Sequence, residues 1–129
     1  MRTQAFSMII LIMVKNILIV EDDADLRSVI KEQLGGAGYN VLEAANGQIA
    51  LKIIADQRVD LIITDIDMPI KNGLELLEEV RRDNAGIPVV VMTGGNHNEK
   101  LILAAGASAF VQKPFLTDIG TIVRRMAAA

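Results

Sequence analysis

The chain of 129 residues has no cysteine and a single histidine. Without cysteine there is no disulfide scaffold, no thiolate zinc site and no cysteine nucleophile. One histidine, His97, excludes a multi-histidine metal centre, and any histidine-based triad would rest on that residue alone. No apolar run approaches the ~18 residues that a membrane-spanning helix needs. A basic surplus is also missing: 13 Lys and Arg against 16 Asp and Glu leave a net charge of −3. With a sequence pI near 5.1, direct nucleic-acid binding by this domain is not expected. What is present is a globular balance, 51% hydrophobic and 22% charged. A chain of this size buries about two-thirds of its unfolded surface, enough for one domain with a true core.

The amino-terminal end reads differently from the rest. An apolar run at 8–14 is followed by Lys15 and Asn16, then by a second run at 17–20. Arg2 ahead of the first run resembles the start of a signal peptide. The run is short, however, no small-residue cleavage site follows, and the next segment reads as a core strand. The expected division is an apolar extension over 1–13 and a domain over 14–129. An accessory tail is the first reading of the extension. Packing on its own domain or a partner, and contact with a membrane surface, are the alternatives. Exposed, such a run is an aggregation or dimerisation liability.

Beyond Lys15, short apolar runs alternate with helix-period stretches. Ile17, Leu18, Ile19 and Val20 form an unbroken run, as expected of a strand covered on both faces. Leu26, Val29, Ile30 and Leu34 share one helical face, and Gly35, Gly36 and Gly38 end that helix. A strand over 39–44 precedes Asn46, a candidate cap for a helix with Ile49, Ala50, Ile53 and Ile54. A third strand, 61–64, is followed by Asn72 and Glu75, spaced as a capping box ahead of Leu74, Leu77 and Val80. Pro88 opens a fourth strand over 89–92. A helix containing Leu101, Ala104 and Ala105 ends at Gly106, and the compact segment from Thr93 to Lys113 makes it short. A fifth strand spans 109–112, and Phe115, Ile119, Ile122, Val123 and Met126 form a last apolar stripe. Gly120 inside that stripe costs about 1 kcal/mol relative to alanine, which a close helix–sheet contact would explain. The sum is α/β, (βα)5: a doubly wound five-stranded parallel sheet with right-handed crossovers.

Polar residues follow four of the five strands. Glu21, Asp22 and Asp23 come after the first, Asp65 ends the third, Thr93 follows the fourth and Lys113 the fifth. In open α/β sheets the binding crevice lies at the carboxyl ends of the strands, so these side chains should gather there. Two carboxylates ~4 Å apart repel by about 4 kcal/mol at an effective dielectric of 20. Lys113 supplies one compensating charge, and a divalent cation is the natural second. An all-oxygen site with few protein ligands suits Mg2+, while protonation is the alternative relief. Asp65, held by a strand end, is the residue best placed to act as a nucleophile forming an acyl phosphate. Phosphoryl transfer then needs positioning and charge neutralisation, to which Lys113 and the Thr93 hydroxyl are suited. Taken singly, each residue has an ordinary reading as a cap, a turn or a loop. Their conjunction in this chain order is what singles them out.

Val20-Glu21-Asp22-Asp23, Thr64-Asp65-Ile66-Asp67-Met68-Pro69, Lys71-Asn72-Gly73, Val91-Met92-Thr93-Gly94 and Lys113-Pro114-Phe115 resemble the receiver domain of bacterial two-component response regulators. The resemblance covers about residues 14–126. It implies the flavodoxin-like strand order 2-1-3-4-5. It implies that Asp65 is the phosphoacceptor, that Glu21 and Asp22 hold Mg2+, and that the Asp67 backbone carbonyl completes the metal site. Asp22 would be the direct ligand and Glu21 would act through water. Thr93 matches the hydroxyl that moves toward the phosphoryl group, Lys113 the family's lysine, and Phe110 the aromatic switch. The bond from Lys113 to Pro114 matches one that is cis in the family, where X–Pro makes cis cheap. A histidine kinase or phosphotransfer protein would donate the phosphoryl group in the cytoplasm, and water would later remove it. The face of the fourth helix, fifth strand and fifth helix would change shape for an output domain, a partner protein or a second copy. On this reading the domain signals and is not a turnover enzyme.

The same residues bear on three other readings. Asp65-Ile66-Asp67 also resembles the Asp-x-Asp of haloacid-dehalogenase-type phosphatases, but the acidic cluster precedes it here and no room remains for a cap domain. A flavin-binding module would need a hydroxyl- and Gly-rich phosphate loop after the first strand, where Glu21, Asp22 and Asp23 repel phosphate. A degenerate receiver serving as a docking platform would not need all five chemical positions filled. The extra carboxylate of Asp67 is expected to alter hydrolysis of the acyl phosphate. Gly94 and Gly95 should loosen their loop. His97 reads as a solvated loop residue, and Arg81-Arg82 and Arg124-Arg125 as solvated helix faces.

Overall fold

The computed structural model describes residues 16–83, 86–113 and 119–128, so the apolar run at 8–14, Pro114 with its preceding bond, and Phe115 lie outside the described residues. Within them the chain runs β1 (Asn16–Val20), α1 (Ala24–Gly36), β2 (Asn40–Ala44), α2 (Gly47–Asp56), β3 (Leu61–Asp65), α3 (Gly73–Asp83), β4 (Val89–Thr93), α4 (Glu99–Ala104), β5 (Ala109–Gln112) and α5 (Ile119–Ala128). All pairings are parallel and the strand order is β2-β1-β3-β4-β5. Every residue of β3 and β4 is buried, whereas the edge strands β2 and β5 are only partly covered. This is why the central strands read as continuous apolar runs and the edges as mixed ones.

Side chains alternate across the sheet with the two-residue period of a strand. Ile17, Ile19, Ile63, Val90 and Met92 face Ile30 and Leu34 of α1 and Ile119 and Val123 of α5. Leu18, Val20, Ile62, Val89 and Val91 face Ala50 of α2, Leu76, Leu77 and Val80 of α3, and Ile102 of α4. Both faces are therefore covered, as the doubly wound reading requires.

Caps fix where the helices begin. Asp23 accepts from the Asp25 and Leu26 amides at 3.0 and 3.2 Å, and Asn46 accepts from Ile49 at 2.9 Å. Asn72 and Glu75 form the reciprocal box, at 3.1 and 2.9 Å. Asn98, not foreseen, caps α4 by accepting from Leu101 at 3.2 Å. α4 has six residues and buries only Ile102.

Some expectations are corrected. Val29 is 40% exposed and Leu101 69% exposed, so neither lies on the core face. In α4 the buried place falls one residue later, on Ile102, while α1 keeps Ile30 and Leu34 in the core. Arg81 is no solvated residue: it donates to the Gly106 and Ile87 carbonyls, both at 2.7 Å, and burial lowers its pKa. Gly106 has φ +110, and a Cβ there would come within 2.9 Å of the Arg81 side chain. Among the described residues no atom outside its own helix backbone lies within 4 Å of a Cβ placed on Gly120, so no close contact there explains that glycine.

The loop after β3 is tightly built. A Cβ on Gly73 would sit 2.1 Å from the Asp65 carbonyl oxygen, so only glycine lets α3 start this close to the strand end. Between them the Lys71 amide donates to the Pro69 carbonyl at 2.9 Å, around Ile70 at φ +70. That is a γ-turn of the strained hand, with a β-branched residue at its apex.

Candidate functional site

At the carboxyl edge of the sheet, Glu21, Asp22 and Asp65 each offer an oxygen within 4.8 Å of the others. Glu21 is 1% exposed and Asp65 5%, while Asp22 opens to solvent. Glu21 is set by β1, whose end is pinned when its amide donates to the Ala44 carbonyl at 3.0 Å. Arg27 donates to the Glu21 carbonyl at 2.6 Å and pairs with Glu43 at 3.1 Å, tying α1 to the same point. Asp65 is held by β3 and by the Ile66 amide, which donates to its Oδ1 at 2.8 Å. Its other oxygen faces Lys113, whose Nζ is 3.2 Å from Asp65 Oδ2 and 2.7 Å from Glu21 Oε1. Lys113 is carried in by β5, and its amide donates to the Thr93 carbonyl at 2.8 Å. Among the described residues no buried side-chain polar atom lacks a partner.

One ammonium among three carboxylates leaves surplus negative charge, and both titration shifts express it. Burial pushes the Glu21 carboxyl above its ordinary range, and Asp22 and Asp65 add to this against the opposing bond from Lys113. Burial alone would lower the Lys113 ammonium. Its bond to Glu21 and the charges of Asp65 and Glu21 outweigh that, and the net shift is upward. Three clustered carboxylates with no nitrogen or sulfur donor among them form a hard-oxygen set, which suits Mg2+ with several waters retained.

The remaining expected residues fall around this centre and not in it. The Thr93 hydroxyl is buried at the end of β4, accepts from the Gly95 amide at 3.0 Å and donates to Asp67 Oδ2 at 3.4 Å. The Asp67 side chain is 61% exposed and turns toward the loop after β4, where His97 Nε2 lies 3.0 and 3.2 Å from its two oxygens. His97 is therefore engaged across the crevice, a pairing over 30 residues that no local pattern announces. Phe110, on β5 opposite Val91, is half-buried against the α2–α3–α4 side of the core. In the sequence Gly73 stands out only as part of the Lys71-Asn72-Gly73 motif. The close approach that requires it depends on where β3 ends. A cleft of about 520 Å³ between α1 and β2, lined by residues such as Ser28 and Tyr39, contains none of these groups.

The fold and the crevice define a flavodoxin-like α/β domain with a carboxylate cluster at the carboxyl edge of its parallel sheet. The sequence matches the response regulator receiver domain family over residues 17–126, and the chain belongs to that family. It is 40% identical over 116 residues to the transcriptional regulatory protein CpxR of Klebsiella pneumoniae, covering 84% of this chain and 49% of that protein. It is 39% identical over 105 residues to the phosphate regulon transcriptional regulatory protein PhoB of Pseudomonas aeruginosa, covering 78% and 46%. The chain thus spans about half the length of these curated relatives. Among solved structures it is similar to a CheY-like receiver domain protein from Methanospirillum hungatei, with TM-score 0.84, 31% identity, and 89% and 94% of the two chains covered. It is also similar to the response regulator TrrA from Thermotoga maritima in complex with Mg2+ and BeF, with TM-score 0.78, 33% identity, and 88% and 98% covered. No helix among the described residues is long and apolar enough to cross a membrane.

Proposed function

We propose that this chain, through a receiver unit over 14–129, accepts a phosphoryl group on Asp65 from a cytoplasmic histidine kinase or phosphotransfer protein. The observation that carries the reading is the clustering of Glu21, Asp22 and Asp65 at one edge of the sheet, with Lys113 bonded to Glu21 and Asp65. Asp65 Oδ attacks phosphorus; a new O–P bond forms, the bond to the donor breaks, and its electron pair leaves with the donor. Asp22, Asp65 and the Asp67 backbone carbonyl, with Glu21 behind them, would hold Mg2+, which when bound would supply positive charge to the phosphoryl oxygens. Lys113 neutralises a further oxygen, and Thr93 moves its hydroxyl from Asp67 to the phosphoryl group. Phe110 then turns into the space that Thr93 vacates, and the α4-β5-α5 face changes shape. Water attacking phosphorus later releases phosphate and restores the Asp65 carboxylate. A phosphoryl group that changes the odds of the active form a hundredfold must favour it by about 2.7 kcal/mol.

Two of the relatives are named as transcriptional regulators and are about twice as long. We take the altered face to address an output domain or a partner protein, or to pair with a second copy. The test is incubation with acetyl phosphate and Mg2+, followed by intact-mass analysis. One phosphoryl group per chain, lost in Asp65→Asn and in the presence of EDTA, is expected. Labelling that survives Asp65→Asn refutes the assignment.

A further inference from the structure

Asp67 brings a fourth carboxylate to the rim of a crevice that already holds three carboxylates and one ammonium. Turned inward, it would add to the negative charge that an incoming phosphoryl anion must meet, and it would hold the Thr93 proton more tightly than the present 3.4 Å contact does. It is instead turned outward. His97 Nε2 lies within reach of both Asp67 oxygens, at 3.0 and 3.2 Å, while the Thr93 hydroxyl is at a long 3.4 Å. A ring nitrogen facing an ionised carboxylate donates to it.

The loop that delivers His97 is built to hold the ring in that place. The Gly95 amide donates to Thr93 Oγ1 at 3.0 Å, and Gln112 on β5 donates to the Gly95 carbonyl at 3.3 Å. A Cβ on Gly95 would come within 3.2 Å of Asp67 Oδ2 and 3.4 Å of the His97 ring, so this glycine leaves the space in which the two groups meet. Asn98, the next residue, is fixed as the cap of α4. His97 is thus anchored on both sides, and its ring is only 28% exposed.

We propose that His97 is a positioning residue for phosphoryl transfer at Asp65. By donating to both oxygens of Asp67 it holds that carboxylate out of the crevice and leaves the Thr93 hydroxyl lightly held. The proposal rests on the phosphoacceptor reading above. His97 touches neither Asp65 nor the phosphoryl group. Its effect passes through the charge of Asp67.

The experiment follows Asp65 labelling by acetyl phosphate at saturating Mg2+ across a range of donor concentrations. His97→Ala raises the half-saturating donor concentration about fivefold, the equivalent of about 1 kcal/mol and of one ordinary hydrogen bond, with the limiting rate changed much less. His97→Gln, whose amide nitrogen reaches the same place, keeps the wild-type curve. In an Asp67→Asn background, His97→Ala has no further effect, because the side chain left free carries no charge. In metal-free protein the 13C carboxyl resonance of Asp67 moves in His97→Ala and holds in His97→Gln. A wild-type saturation curve for His97→Ala overturns the proposal, and so does an equal effect in the Asp67→Asn background. An unmoved Asp67 resonance in His97→Ala also overturns it. Wild-type protein that takes no label at Asp65 overturns the phosphoacceptor reading itself, and this proposal with it.

Discussion

Replacing Glu21 by glutamine should stabilise the metal-free protein, although it removes a partner of Lys113. The Lys113 ammonium at 2.7 Å attracts an ionised Glu21 by about 6 kcal/mol at an effective dielectric of 20. Asp22 and Asp65, within 4.8 Å, each repel it by about 3.5 kcal/mol or more on the same scale. The charge terms nearly cancel, so the burial of a 1% exposed carboxylate decides the sign. This agrees with the upward shift of the Glu21 pKa, whose largest cause is burial. Glutamine keeps an oxygen for Lys113 and discards the charge. The expected gain is about 1–2 kcal/mol at neutral pH, read from urea unfolding followed by circular dichroism in EDTA. The pH dependence has a definite sign. A carboxyl with a folded pKa above its unfolded value of 4.5 destabilises the fold where it is ionised. The advantage of glutamine is therefore full above the raised pKa, shrinks as pH falls through it, and is gone below 4.5. Saturating Mg2+, bound by the folded form, should stabilise wild type more than the variant. A Glu21→Gln protein that is less stable than wild type in EDTA at neutral pH would refute the reasoning.

Gly73→Ala should cost more than 3 kcal/mol, on the order of severe strain at a special position, because its Cβ meets the Asp65 carbonyl at 2.1 Å; urea unfolding reads this, and labelling of Asp65 should fall with it. Ile70→Gly should raise stability by about 1 kcal/mol, since relief of a strained φ at an exposed site outweighs the added freedom of the unfolded chain. An unchanged melting temperature would show that the turn carries no strain. Asp67→Asn should change the decay rate of the acyl phosphate, measured by loss of label after the donor is removed; an identical rate would remove Asp67 from the reset step.

The parallel sheet and the gathering of Glu21, Asp22, Asp65 and Lys113 were legible because each rests on chain order plus a rule about where parallel sheets present their ends, whereas the strand order was legible only through the family resemblance. The runs at 17–20, 61–64 and 89–92 each became a strand with at most one residue added at either end. Capping by Asn46 and by the Asn72–Glu75 pair was legible because it is local. What escaped was set by tertiary contact. Arg81 sits beside Arg82 on α3, and nothing in that dipeptide tells which of the two turns inward to the Gly106 and Ile87 carbonyls. Leu101 and Ile102 are equally apolar, and only the pitch of a six-residue helix against the sheet decides which is buried. The pairing of His97 with Asp67 joins two loops through space, so neither loop's sequence contains it.

The slightness of α4 has a consequence for how freely its outer residues can vary. With Ile102 as its single buried side chain, most of its surface contributes little to holding the sheet together. Residues along that surface can be exchanged at small cost to the fold, while the carboxylates at the ends of β1 and β3 stay as they are. Variation along that helix and retention of the charged rim thereby fall to separate parts of one small molecule.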